Sequence, residues 1–122
     1  MIVGPLQRIL IASAGVLGAL GVAAAAMAAH GGETPHFAAM SAMALAHAPV
    51  LLILGLAGRG RGLALAGLVI GLGCLVFVAD LAFRTWIGMP LFPGAAPIGG
   101  VGMILGWLGL AFAASFPKLI HD

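Results

Sequence analysis

Eleven of the twelve Lys, Arg, Asp, Glu and His residues of this chain gather at five places, and four apolar stretches lie between those places. The stretches run about 6–29, 37–56, 63–82 and 95–116. About twenty apolar residues in a helix cross the ~30 Å hydrocarbon core of a bilayer. The pattern therefore predicts an all-α protein, a four-helix transmembrane bundle. Short connections between successive spans predict antiparallel neighbours, up-down-up-down.

Composition agrees. Charged residues make up 7% of the 122 residues and the mean hydropathy is +1.25. A soluble domain carries about a quarter charged residues, so that class is excluded. Four spans use most of the chain, so residues 1–122 read as a single integral membrane domain with no separate extramembrane unit. The net charge of +2 and the pI near 9.5 do not indicate nucleic-acid binding. A few cations in connections are what orientation in a membrane requires. Cys74 is the lone cysteine and falls inside the third span, so it forms no internal disulfide. Arg8, the apolar run behind it and Ala26-Met27-Ala28 resemble a signal peptide with its cleavage site, but the segment is read as a retained first span. The abundance of Ala and Gly points to a bacterial source, and hence to a bacterial inner membrane.

The first connection, His30 to His36, is short and polar; Gly31 and Gly32 can end one helix and Thr34 before Pro35 can open the next. The second, Gly58-Arg-Gly-Arg-Gly62, is a tight basic hairpin. The third, about 83–94, is longer and apolar, with Trp86, Ile87, Met89, Leu91 and Phe92 alongside Pro90 and Pro93. It is expected to be ordered, because unpaired backbone is costly in lipid. It is also the expected partner contact, through Trp86, Ile87, Leu91 and Phe92. Arg8, Arg59, Arg61 and Lys118 fall on one side of the four spans and Arg84 alone on the other. Positive charge marks the cytoplasmic face, so both termini are expected in the cytoplasm. Small residues four apart, Gly67/Gly71 and Gly102/Gly106, are expected to let helices three and four approach a neighbour closely.

Four residues stand out as polar sites. His47 lies about ten residues into the second span, ~15 Å deep at 1.5 Å per residue. An ionisable group at that depth is either functional, as a metal or haem ligand or a proton relay, or a neutral histidine bonded to a carbonyl. Pro49, which lacks an N–H, frees the carbonyl of Leu45 as a candidate acceptor. Asp80 and Arg84 are four apart with the acid first, the favourable order on a helix. They can fix helix position or form one end of a proton or anion path. His30, with Glu33 and His36, offers three potential ligands within seven residues but no recognised metal spacing. No phosphate loop, nucleophilic triad or CxxC occurs, and Trp107 and the methionines read as packing. No catalytic, cofactor or metal residue is assigned.

Ala28-Ala-His-Gly31, Ala44-Leu-Ala-His-Ala48, Pro97-Ile-Gly-Gly100 and Gly106-Trp107-Leu108 together resemble a family of small four-helix inner-membrane proteins of unknown function, the YgdD/YwdK type. The likeness covers nearly the whole chain in order and spacing. It implies the fold and gives His30, His47 and the Pro97–Gly100 segment as recurrent positions, but it implies no activity. This chain has Met27-Ala28-Ala29 where the family has glycines, and a charged pair at Asp80 and Arg84 where the family has small or hydroxyl residues. The expected function is non-catalytic: an accessory or interaction subunit of a larger membrane assembly, in contact with the lipid bilayer and with a membrane-protein partner or further copies of itself. The alternatives are a small oligomeric transporter or channel with His47 on the path and, after that, a haem- or metal-binding electron-transfer protein.

Overall fold

The computed structural model describes residues 4–31, 35–57 and 60–121. They form four long helices, α1 (Pro5–Ala29), α2 (His36–Ala57), α3 (Arg61–Trp86) and α4 (Ala95–Ala113), followed by a short α5 (Pro117–His121). No strand occurs among the described residues. All four long helices are long and apolar enough to cross a membrane. The expected signals at Gly32, Glu33, Thr34 and Arg59 lie outside the described residues.

Local chemistry explains most of the boundaries. Pro5 opens α1 at a position where its missing N–H leaves no helical bond unmade. Gly31, at φ +131°, follows the end of α1 as a residue without a Cβ can. Helix α3 runs four residues beyond the expected end at Ala82. Asp80 and Arg84 pair along it, and the Thr85 hydroxyl bonds the Leu81 carbonyl, so nothing breaks the helix before Gly88. Gly88, at φ +83°, donates back to the Phe83 carbonyl and stops it. Trp86 is therefore the last helical residue and not part of the connection, which shortens to 87–94. Helix α4 ends at Ala113 and not at Phe116. The residue before a proline avoids the α conformation, and ahead of Pro117 the chain tightens through i→i−3 bonds from Ser115 and Phe116.

Helix α1 packs on α2, α2 on α3 and α3 on α4, whereas α1 touches α3 only lightly and α4 has close backbone neighbours only in α3 and α5. Leu10, Leu17, Leu51, Ile70 and Cys74 are among the fully buried side chains; contributed by α1, α2 and α3, they belong to one continuous core cluster. Helix α4 is held differently, by backbone approach. A Cβ on Gly99 would lie 2.6 Å from the carbonyl oxygen of Gly73, and one on Gly73 would lie 2.7 Å from the carbonyl oxygen of Gly99. Gly106 sits seven residues further along the same face, against the Ile70 side chain and the backbone of Ile70 and Ala66. Lipid is as apolar as leucine, so close contact of this kind, and not water exclusion, drives association of spans. The expected close approach to a neighbouring helix is present at these positions: Gly67 and Gly71 lie against Leu10, Leu54 and Leu51 of α1 and α2, and Gly106 lies against α3. The backbone contact between α3 and α4 at Gly73 and Gly99 was not among the expected pairs.

Candidate functional site

Two buried polar residues stand out in this apolar chain, His47 and Asp80. They organise two separate groups of side chains.

His47 lies near the middle of α2, as Cys74 does in α3 and Trp107 in α4. The His47 Nδ1 is 2.7 Å from the carbonyl oxygen of Met43, and the Trp107 indole Nε1–H donates to His47 Nε2 at 3.1 Å. A carbonyl only accepts and an indole only donates. The imidazole is therefore neutral, with its proton on Nδ1 and its Nε2 lone pair taken by Trp107. The two rings meet edge to face, with centroids 6.0 Å apart. The Cys74 thiol points at the same Met43 carbonyl from α3 at 3.5 Å. One carbonyl and one imidazole thus tie α2 to α3 and to α4, although the α2 and α4 backbones do not approach each other closely. The acceptor is Met43, not Leu45: helical side chains lean toward the N-terminus and reach the turn before their own. Trp107 is more than packing, since it supplies the second bond that makes a mid-span histidine tolerable.

Asp80 is fully buried on α3. One carboxylate oxygen receives Arg84 Nε at 2.8 Å and the other receives the backbone N–H of Leu91 at 2.9 Å. Asp80 therefore does more than pair with Arg84. It fastens the 87–94 connection to the end of α3. Arg84 remains 39% exposed at its side chain. Beside this group, His36 bonds the Thr85 hydroxyl at 3.2 Å and Phe37 meets Trp86 with ring centroids 5.8 Å apart. These contacts bind the start of α2 to the end of α3.

His30 is exposed at the end of α1. No group of three or more His, Cys, Asp or Glu side chains among the described residues is placed to hold a metal ion; Glu33 lies outside them. Of the expected partner residues, Trp86 and Ile87 are 61% and 58% exposed, as is Met89 at 57%, while Phe92 is exposed and Leu91 is half-buried. Sequence reasoning singled out His47, Asp80 and Arg84 but missed Cys74, Thr85 and the Leu91 N–H. The one available signal was that an indole within a span needs an acceptor.

Four apolar helices of this length define a multi-pass, all-α membrane protein. No family model, curated protein or solved structure matches the chain.

Proposed function

We propose that the protein is a non-catalytic accessory subunit of a larger assembly in a bacterial inner membrane, with its spans running up-down-up-down and both termini in the cytoplasm. The observation that carries this reading is the connection between α3 and α4. Asp80 holds it in place through the Leu91 N–H, and the end of α3 and the fixed turn after it present Trp86, then Ile87 and Met89, outward. A fastened apolar projection is what a partner surface requires, because little ordering entropy remains to be lost on docking. The state of His47 supports the same reading over a transport path. Both ring nitrogens are engaged, so the ring has no free lone pair for a metal or a passing proton. The proposed kinship with the four-helix inner-membrane family gives its Pro97–Gly100 segment a physical purpose, since Gly99 is where α4 meets α3 most closely.

The test is purification of the protein from native membranes with Ile87→Glu or Met89→Glu. A specific partner that co-purifies with the parent protein should be lost, while the bundle keeps its helicity. Leu91 is a poorer target, because it is half-buried and its N–H is held by Asp80. Retention of every co-purifying protein by both variants would remove the main support for the accessory reading. The orientation is checked separately by reporter fusions at Asp122 and near Glu33; a periplasmic signal at Asp122 would reverse it.

A further inference from the structure

Arg84 stands beside the apolar projection with most of its hydrogen-bonding capacity unused. We infer that the partner places an Asp or Glu carboxylate on the outer edge of its guanidinium, next to apolar side chains that cover Ile87 and Met89. The inference rests on the accessory reading and gives the partner surface its charge.

A guanidinium carries five N–H donors, of which Nε has one and the two Nη atoms have the rest. Arg84 Nε donates to Asp80 at 2.8 Å, and among the described residues this is the side chain's one hydrogen bond. Asp80 itself is fully buried, and its other oxygen is taken by the Leu91 N–H. The acid therefore anchors the fork from below and puts no carboxylate oxygen at the surface. What the surface presents is the Nη edge of a half-exposed cation. That edge matches a carboxylate with two parallel hydrogen bonds. The inner bond to Asp80 already holds the side chain in place, so little rotamer freedom remains to be lost on docking.

The surroundings decide what meets this edge. Ile87 keeps helical geometry at the end of α3, with its N–H on the Phe83 carbonyl. Residues three apart on a helix are surface neighbours, so Ile87 lies next to Arg84, with Met89 following in the turn. Thr85 and Trp86 meet His36 and Phe37 of α2 instead. Helix α3 has 26 residues, which is ~39 Å at 1.5 Å each and ~37 Å along the membrane normal at the usual ~20° tilt. The hydrocarbon core is ~30 Å thick, so the end of α3 reaches the headgroup layer. Exposed apolar side chains held there gain from being covered by protein. An acid set among apolar residues complements a cation set beside Ile87, and complementary charge of this kind fixes register and excludes wrong partners.

The experiment treats native membranes holding the full-length Arg84→Lys protein with a water-soluble carbodiimide, which joins an amine to a carboxylate in contact with it through an amide bond. Lys118, the sole lysine of the parent chain, follows α4, whose last turns lie against the first turns of α3. The variant therefore adds a new amine at the opposite end. The expected product joins residue 84 to one Asp or Glu of another protein, and adding Ile87→Glu to Arg84→Lys should abolish it. Arg84→Gln should lower recovery of that protein by up to about fivefold, the size of a half-exposed ion pair. It should also remove the loss that the parent shows as salt is raised. Protection of the Leu91 amide checks that both Arg84 variants keep the connection folded. Products confined to acids of this chain, or none, would overturn the inference. So would full recovery with Arg84→Gln, the result for an arginine that meets lipid phosphate or water alone. With such a result, loss of the partner from Ile87→Glu leaves the accessory reading standing, whereas its retention by both Ile87→Glu and Met89→Glu removes both.

Discussion

The bond from Trp107 to His47 joins two helices whose backbones do not meet, so its removal should be felt across the bundle. His47→Leu keeps an apolar side chain of similar reach but leaves the indole N–H of Trp107 without an acceptor. An unmade buried bond costs about 1–3 kcal/mol. Trp107→Phe removes the donor and leaves Nε2 bare, with a cost of the same order. The two losses share one interaction. The double variant should therefore be less destabilised than the sum of the singles by about 0.6–1.7 kcal/mol, the range from average to largest for interhelical hydrogen bonds in membrane proteins. The measurement is an unfolding equilibrium in lipid for the parent, the two single variants and the double. In a Trp86→Phe background, the Trp107 emission should also move to shorter wavelength when His47 becomes Leu. His47→Gln, which carries both a donor and an acceptor, should recover part of the loss. Additive single effects, within about 0.3 kcal/mol, would refute the latch and return His47 to consideration as a residue on a path.

Asp80→Ala should release the 87–94 connection. The Leu91 N–H loses a charged acceptor, which costs about 1.5–3 kcal/mol. The half-exposed Arg84 adds at most about 1 kcal/mol. Hydrogen exchange at the Leu91 amide reads this directly; unchanged protection would sink the account, and Asp80→Asn should fall between because it keeps an acceptor. Gly99→Ala drives a methyl group against the Gly73 backbone, which cannot yield as a side chain can, and should cost about 1–3 kcal/mol of detergent or bilayer stability. Gly15→Ala, whose Cβ would meet nothing within 4 Å, should be neutral or slightly stabilising, and equal effects at the two positions would show that α3 and α4 are not held by backbone contact.

The sequence by itself determined the four spans, because ionisable groups are excluded from hydrocarbon and a helix is the structure in which a single segment satisfies its own backbone there. It also marked His47 and the Asp80–Arg84 pair, since a polar group in such a chain needs a reason to be present. It left the rotation of each helix undetermined. Lipid and protein interior are nearly equally apolar, so the faces of these helices carry no periodic contrast that tells inside from outside. That is why Gly73 and Gly99 were passed over while Gly67 and Gly71 were noted, and why the small residues of α1 did not reveal which of them face α2 and which are left open. It is also why Trp107 read as packing. Its acceptor is sixty residues away on a helix that its own backbone does not approach closely. The tertiary structure decided those matters by bringing together groups from separate helices. It gave the mid-span imidazole its two partners and turned Asp80 into the fastening of the connection that follows it.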